Sequence, residues 1–155
     1  MIVSLHVASG AAVGATARSR RTAVALGLLS HAVGDRIPHR DIPSRRFELR
    51  SGVALLLLVA LRRGALDRAT IGAAAAATPD VEHVLRLPRP GGRKLFPSHR
   101  FEGWHRPGGL PTWLQLLTAG VLAGLVLASG RRSWPSQPPP GPLGKAPPSS
   151  SPLRA

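Results

Sequence analysis

The sequence predicts an all-α protein: a small helical membrane bundle of four to five helices with a disordered proline-rich tail. Three observations lead there. Five apolar segments, at 2–17, 22–33, 51–61, 69–78 and 110–129, punctuate a chain of 155 residues. Histidines and acids gather at the ends of those segments rather than within them. Basic residues, nearly all arginine, flank the segments and give a net charge of +14. On this pattern a helical membrane domain spans 1–132 and the tail 133–155.

The first segment, 2–17, is rich in alanine and glycine. Gly10 and Gly14 are four apart, so they put two small residues on one face, where a second backbone can approach closely. No Lys or Arg precedes Arg18, so the basic start of a secretory signal is missing. A signal or transit peptide stays as an alternative, because Ala15-Thr16-Ala17 resembles a cleavage site and no acid precedes Asp35. The second segment, 22–33, runs into SHAVGD, and Pro38 ends or kinks that helix. The third and fourth, 51–61 and 69–78, are short enough to be core helices, re-entrant segments or tilted spans. The fifth, 110–129, has the ~20 apolar residues needed to cross a ~30 Å hydrocarbon core. Trp113 at one end and Arg131-Arg132 at the other read as interface anchors. Gly120 and Gly124 repeat the small-residue face of the first segment. Loop 85–111 is rich in Pro, Gly and Arg, as functional or disordered loops are. The tail, WPSQPPPGPLGKAPPSSSPLRA, cannot bury enough apolar surface to order itself.

Composition removes several classes of function. The chain has no cysteine, which excludes disulfides, thiolate metal sites and cysteine nucleophiles. It has no G-x-S-x-G elbow, P-loop, HExxH helix or dinucleotide fingerprint, so serine hydrolase, nucleotide triphosphatase and zincin chemistry have no support. The positive charge favours anionic partners. Membrane lipid and a phosphorylated or otherwise anionic substrate fit better than nucleic acid, because the aromatics do not alternate with the arginines as a base-stacking surface requires.

If the five segments alternate in direction, the start of the chain and the loops after segments two and four share one side. All six histidines and six of the seven acids fall on or near it, Asp67 being the exception. Lys and Arg divide almost evenly between the two sides, which leaves the membrane orientation open.

Two constellations carry chemistry. His31 and Asp35 are four apart on one helix face, so both can point at one ion. The turn at Pro38 can return His39 and Asp41 toward the same point. Imidazole and carboxylate without sulfur suit zinc, manganese or iron. The plainer alternative is a His–Asp hydrogen-bonded pair at a helix end. The second constellation is PDVEH, with Asp80, Glu82 and His83. Here Thr78 could cap a helix that begins at Pro79, and the acids would then sit in its first turn, where the helix dipole favours them. His99 and His105 lie in the Arg-rich loop as candidate ligands, a general acid or phosphate contacts. His6 faces the interior of the first segment, where an ionisable side chain is a functional candidate.

At these residues the chain resembles the membrane-bound metal-dependent hydrolase family, the small bacterial inner-membrane proteins of the LexA-regulated type. The resemblance rests on His6 in LHVASGAAVG, on His31 and Asp35 in GLLSHAVGD, and on Asp80, Glu82 and His83 in TPDVEH. Here the SHxxxD segment precedes the PDxEH element, the reverse of the family's common order, and SHRFEGWH stands where the family carries HRGxTHS. The resemblance implies a multi-pass inner-membrane protein with metal-dependent hydrolase activity. The resulting expectation is a zinc or manganese site built from His6, His31, Asp35, His39 and Asp80. Asp41, Glu82 and His83 would complete it or serve as base, and nearby arginines would hold an anionic group such as a phosphoester. The alternatives are a non-catalytic metal- or proton-handling membrane protein and a membrane-anchored interaction module.

Overall fold

A computed structural model describes residues 1–85, 87–104 and 106–129. Among them it is all-helical, without a strand. Five helices carry the architecture: α1 (Val3–Thr16), α2 (Arg20–Arg36), α3 (Arg45–Arg63), α4 (Arg68–Ala77) and α7 (Thr112–Ser129). Two single turns, α5 (Val81–Val84) and α6 (Pro97–Arg100), interrupt the long connection between α4 and α7. Arg131, Arg132 and the proline-rich tail lie outside the described residues.

The long helices extend past the apolar segments because polar residues cap them. Ser19 accepts from the Thr22 N–H and starts α2 two residues before the apolar run. Ser44 accepts from the Phe47 N–H, so α3 begins in the charged stretch RRFELR. Asp67 accepts from the Ala69 N–H at the head of α4. Such caps satisfy N–H groups that have no partner inside the helix. Gly64 ends α3 with φ of 100°, a conformation open to glycine and costly for other residues.

α1 and α4 form the centre. Gly10 and Gly14 of α1 meet Gly72 and Ala76 of α4 so closely that a Cβ at either glycine would collide with the α4 backbone. Gly27 brings α2 onto Gly72 as well, so three helices cross at that residue. Val7, Ala11, Val59, Ala69, Ala73 and Val126 fill the core around this crossing. The small-residue reading holds for Gly10 and Gly14. It fails for Gly120 and Gly124, where an added Cβ would meet open space.

α2, α3 and α7 surround this centre and turn apolar side chains outward. Leu29 and Val33 of α2, Leu57 and Leu61 of α3, and Leu117 and Leu125 of α7 are all exposed. By length and composition α7 is long and apolar enough to cross a membrane.

The five long helices alternate in direction. At one end, Arg20 donates to the Leu66 carbonyl, Arg63 to the Val126 carbonyl and Arg68 to the Ala17 carbonyl. At the other end, Gln115 of α7 accepts from the Ile2 N–H and donates to the Arg40 carbonyl. This second end carries the histidines.

Candidate metal centre

His31, His39 and His99 are each aimed by a partner on the far ring nitrogen. His31 lies in the last turns of α2, fully buried. Its Nδ1–H donates to the Ala76 carbonyl at the end of α4, 2.7 Å away. That bond puts a proton on Nδ1, so in the neutral imidazole Nε2 carries the lone pair. Nε2 is 3.0 Å from Asp35 Oδ2, yet among the described residues it makes no hydrogen bond of acceptable geometry. A buried imidazole lone pair facing a carboxylate oxygen is unfavourable unless a proton or a metal cation lies between them.

His6, in the second turn of α1, places Nε2 3.0 Å from Asp35 Oδ1. Its ring stacks on His31. The Met1 amino group is 3.0 Å from the same Asp35 oxygen and also contacts His39 Nε2. His39 is buried past the end of α2, and its Nδ1–H donates to the Ile37 carbonyl at 2.7 Å. Backbone pairing holds this stretch: Arg40 N–H donates to the Leu110 carbonyl and Leu110 N–H to the Pro38 carbonyl. Exposed Asp41 reaches His39 Nε2 at 3.3 Å.

The chain from α4 supplies the remaining side. Thr78 ends α4 instead of capping the next helix, and Asp80 precedes α5 with no side-chain cap bond. Thr78 is therefore not the cap expected of it, while Glu82 does fall in the first turn of α5. A four-residue turn offers little dipole to hold these acids, and stronger partners are close by. Glu82, buried, accepts from the Leu95 N–H and from His99 Nδ1, each at 2.8 Å. His99 Nε2 then lies 3.5 Å from Asp35 Oδ2 and 3.8 Å from Asp80 Oδ1. His83 sits at the edge, with Nε2 3.4 Å from His99 Nε2.

Two donor sets result, His6/His31/Asp35 and His31/Asp80/His99, with the ligand atoms of each all within 4.8 Å of one another. The structure thus brings together His6, His31, Asp35 and Asp80, with His39 joined through the Met1 amine. Glu82 holds His99, and Asp41 and His83 stand at the rim. His105 lies outside the described residues.

The electrostatics follow this packing. Burial pushes the Asp80 carboxyl above its ordinary range; His31 opposes that rise and the Asp35 charge adds to it. For Glu82, burial also works upward, but the Leu95 N–H and His99 outweigh it and the carboxyl sits below its ordinary range. Burial, with the His99 and Lys94 charges, lowers His83 to about 4.

His99 is the residue whose place the sequence left least defined. Its signal is the PSHR turn, with Pro97 at the first helical position. The turn is clipped to α2, where Trp104 Nε1–H donates to the Ala32 carbonyl and Arg36 donates to the Gly103 carbonyl. Gln115 was equally hidden, a single amide within an apolar run.

The fold and this cluster define a class: a helical bundle with histidine and carboxylate donors that could hold a metal ion at one end. Compared with protein-family models, with curated proteins and with solved structures, the chain matches none.

Proposed function

We propose that the chain is a multi-pass membrane protein that hydrolyses a phosphoester with a divalent metal, zinc or manganese, held at one end of its helical bundle. The observation that carries this reading is His31: its Nδ1–H is committed to Ala76, and its Nε2 is buried 3.0 Å from a carboxylate oxygen without a hydrogen bond among the described residues. The donors fit such an ion, being imidazole and carboxylate with no sulfur. His31, Asp35, His99 and Asp80 would hold it, with Glu82 fixing the ring of His99 as a carboxylate behind a ligating histidine does. The ion would supply a Lewis acid and make water nucleophilic near neutral pH.

The membrane reading draws on the outward leucines and valines of α2, α3 and α7. Apolar surface on that scale marks a membrane or partner interface. Between α1 and α3 a groove of about 680 Å³ reaches Asp80 and His83. Val3, Val7 and Leu56 line its depth, and Arg45, Asp80 and His83 its polar end. That arrangement suits an amphiphile with its chain among the helices and its phosphoester beside Arg45, whose guanidinium can pair with phosphate oxygens. His83 is placed beside His99 to take a proton from attacking water.

A carrier needs a polar route from one face to the other. Beneath the donors lie Val7, Ala11, Ala69 and Ala73, which favours chemistry at one surface over transport through the bundle. The test is elemental analysis of the full chain purified in detergent, followed by assay on phospholipid vesicles. Bound zinc or manganese, lost in His31→Ala, together with metal-dependent release of a phosphorylated headgroup or inorganic phosphate, is the expected result. A chain that neither retains nor rebinds metal overturns the reading.

A further inference from the structure

The rings of His6 and His31 come from different helices, yet they stack with centroids 4.0 Å apart and planes inclined by only 22°. An imidazole lone pair lies in the ring plane. Stacked rings occupy separate planes, so each Nε2 can address its own oxygen of a shared carboxylate. Asp35 answers with one oxygen for each: Oδ1 is 3.0 Å from His6 Nε2, and Oδ2 is 3.0 Å from His31 Nε2. The Oδ2 side continues to His99 Nε2 and from there to Asp80 Oδ1. On the Oδ1 side, the Met1 amino group lies against both Asp35 Oδ1 and His39 Nε2. A positively charged group thus already bridges that carboxylate oxygen and that imidazole.

We propose that the cluster holds two divalent cations bridged by the Asp35 carboxylate, one on His31, His99, Asp80 and Oδ2, the other on His6, His39 and Oδ1. The inference rests on the metal site proposed above and extends it from one ion to two. In two-metal hydrolytic sites the ions lie about 3.5–4 Å apart and clamp the attacking and leaving oxygens of an in-line displacement, and a carboxylate with an imidazole on each oxygen, as at Asp35, can bridge such a pair. A second ion also gives His6 a role. The fully buried His6 Nε2, 3.0 Å from Oδ1, would face that second ion.

The test counts ions. The full chain in detergent is stripped with chelator and titrated with Mn²⁺ alone, with bound metal measured by elemental analysis and the electron paramagnetic resonance spectrum recorded. Two Mn²⁺ per chain with an exchange-coupled spectrum are expected. His99→Gln and His6→Gln, which act on opposite sides of Asp35, should each retain one ion and lose the coupling. One ion per chain, or two without coupling, overturns the bridged pair and leaves the single-site reading standing. No bound ion overturns both. The count on the unsubstituted chain holds whether or not either variant folds.

Discussion

His31 and Asp35 stand one turn apart at the end of α2, with His31 Nε2 3.0 Å from Asp35 Oδ2. The pair is more than a local helix contact. His31 is anchored through Nδ1 to the last turns of α4, and Asp35 receives His6 from α1 and His99 from the loop before α7. Removing one charge from such a buried group costs more than the pair itself contributes, because the partners are left desolvated and unmatched. The end of the bundle is therefore organised around one carboxylate.

Glu82 gives the first prediction. It touches no proposed ion and instead fixes His99 through Nδ1. Glu82→Gln keeps the volume but presents a neutral amide to the ring, so it weakens both the orientation and the basicity of His99. Losses on changing such partners are about 10–100-fold in metal affinity. Competition with a chromogenic chelator should find a loss in that range while the helical circular dichroism is retained. Unchanged affinity would remove Glu82 from the site.

Packing at the helix crossing makes a second. Gly72 meets Gly10 and Gly14 of α1 at backbone distance, so Gly72→Ala forces helices apart. Overpacking of this kind costs about 1–3 kcal/mol. Gly120→Ala has open space to enter and replaces glycine by a better helix former. Thermal unfolding in detergent should show Gly72→Ala clearly destabilised and Gly120→Ala unchanged or slightly stabilised. Equal effects at both positions would contradict the crossing.

The contrast between those glycines marks what the sequence could convey. Spacing identifies a small-residue face but not whether another helix lies against it, and Gly120 and Gly124 carry the same pattern without a neighbour. Chain direction was legible, because apolar lengths alternate with polar ends; that alone put His6, His31 and Asp80 at a common end. The role of His99 was not, since it depends on Glu82, Trp104 and Arg36 holding an irregular loop, and no periodicity encodes such contacts. The TPDVEH acids were legible by type, but Thr78 was misread as the cap. The partners of Glu82 are a distant histidine and the Leu95 N–H.

Alternating direction carries a third prediction. Exposed Ala65 joins α3 to α4 at the arginine-rich end, and exposed Pro88 follows α5 at the histidine end. The chain has no cysteine, so Ala65→Cys and Pro88→Cys each introduce a single thiol. In sealed vesicles a membrane-impermeant maleimide should label the two variants from opposite sides. Labelling of both from the same side would contradict a bundle that crosses the bilayer with its donors at one face.

Acid should release the metal before it disturbs the carboxylate behind His99. Imidazoles bind metal only when neutral, so binding expels protons and affinity falls as pH falls. Glu82 behaves differently. Its carboxyl lies below the ordinary range in the folded chain, with the Leu95 N–H and His99 outweighing burial. Its contribution to stability is therefore present above the unfolded value and is lost only as pH falls through the lower folded value. Between neutrality and about pH 5, proton competition should weaken metal binding while the Glu82 contact persists. The metal-loaded chain should lose its thermal advantage over the metal-free chain across that interval, because ligand-linked stability vanishes with affinity. Melting curves of both forms at each pH check this, and a metal-dependent stabilisation undiminished at pH 5 would argue against histidine ligation.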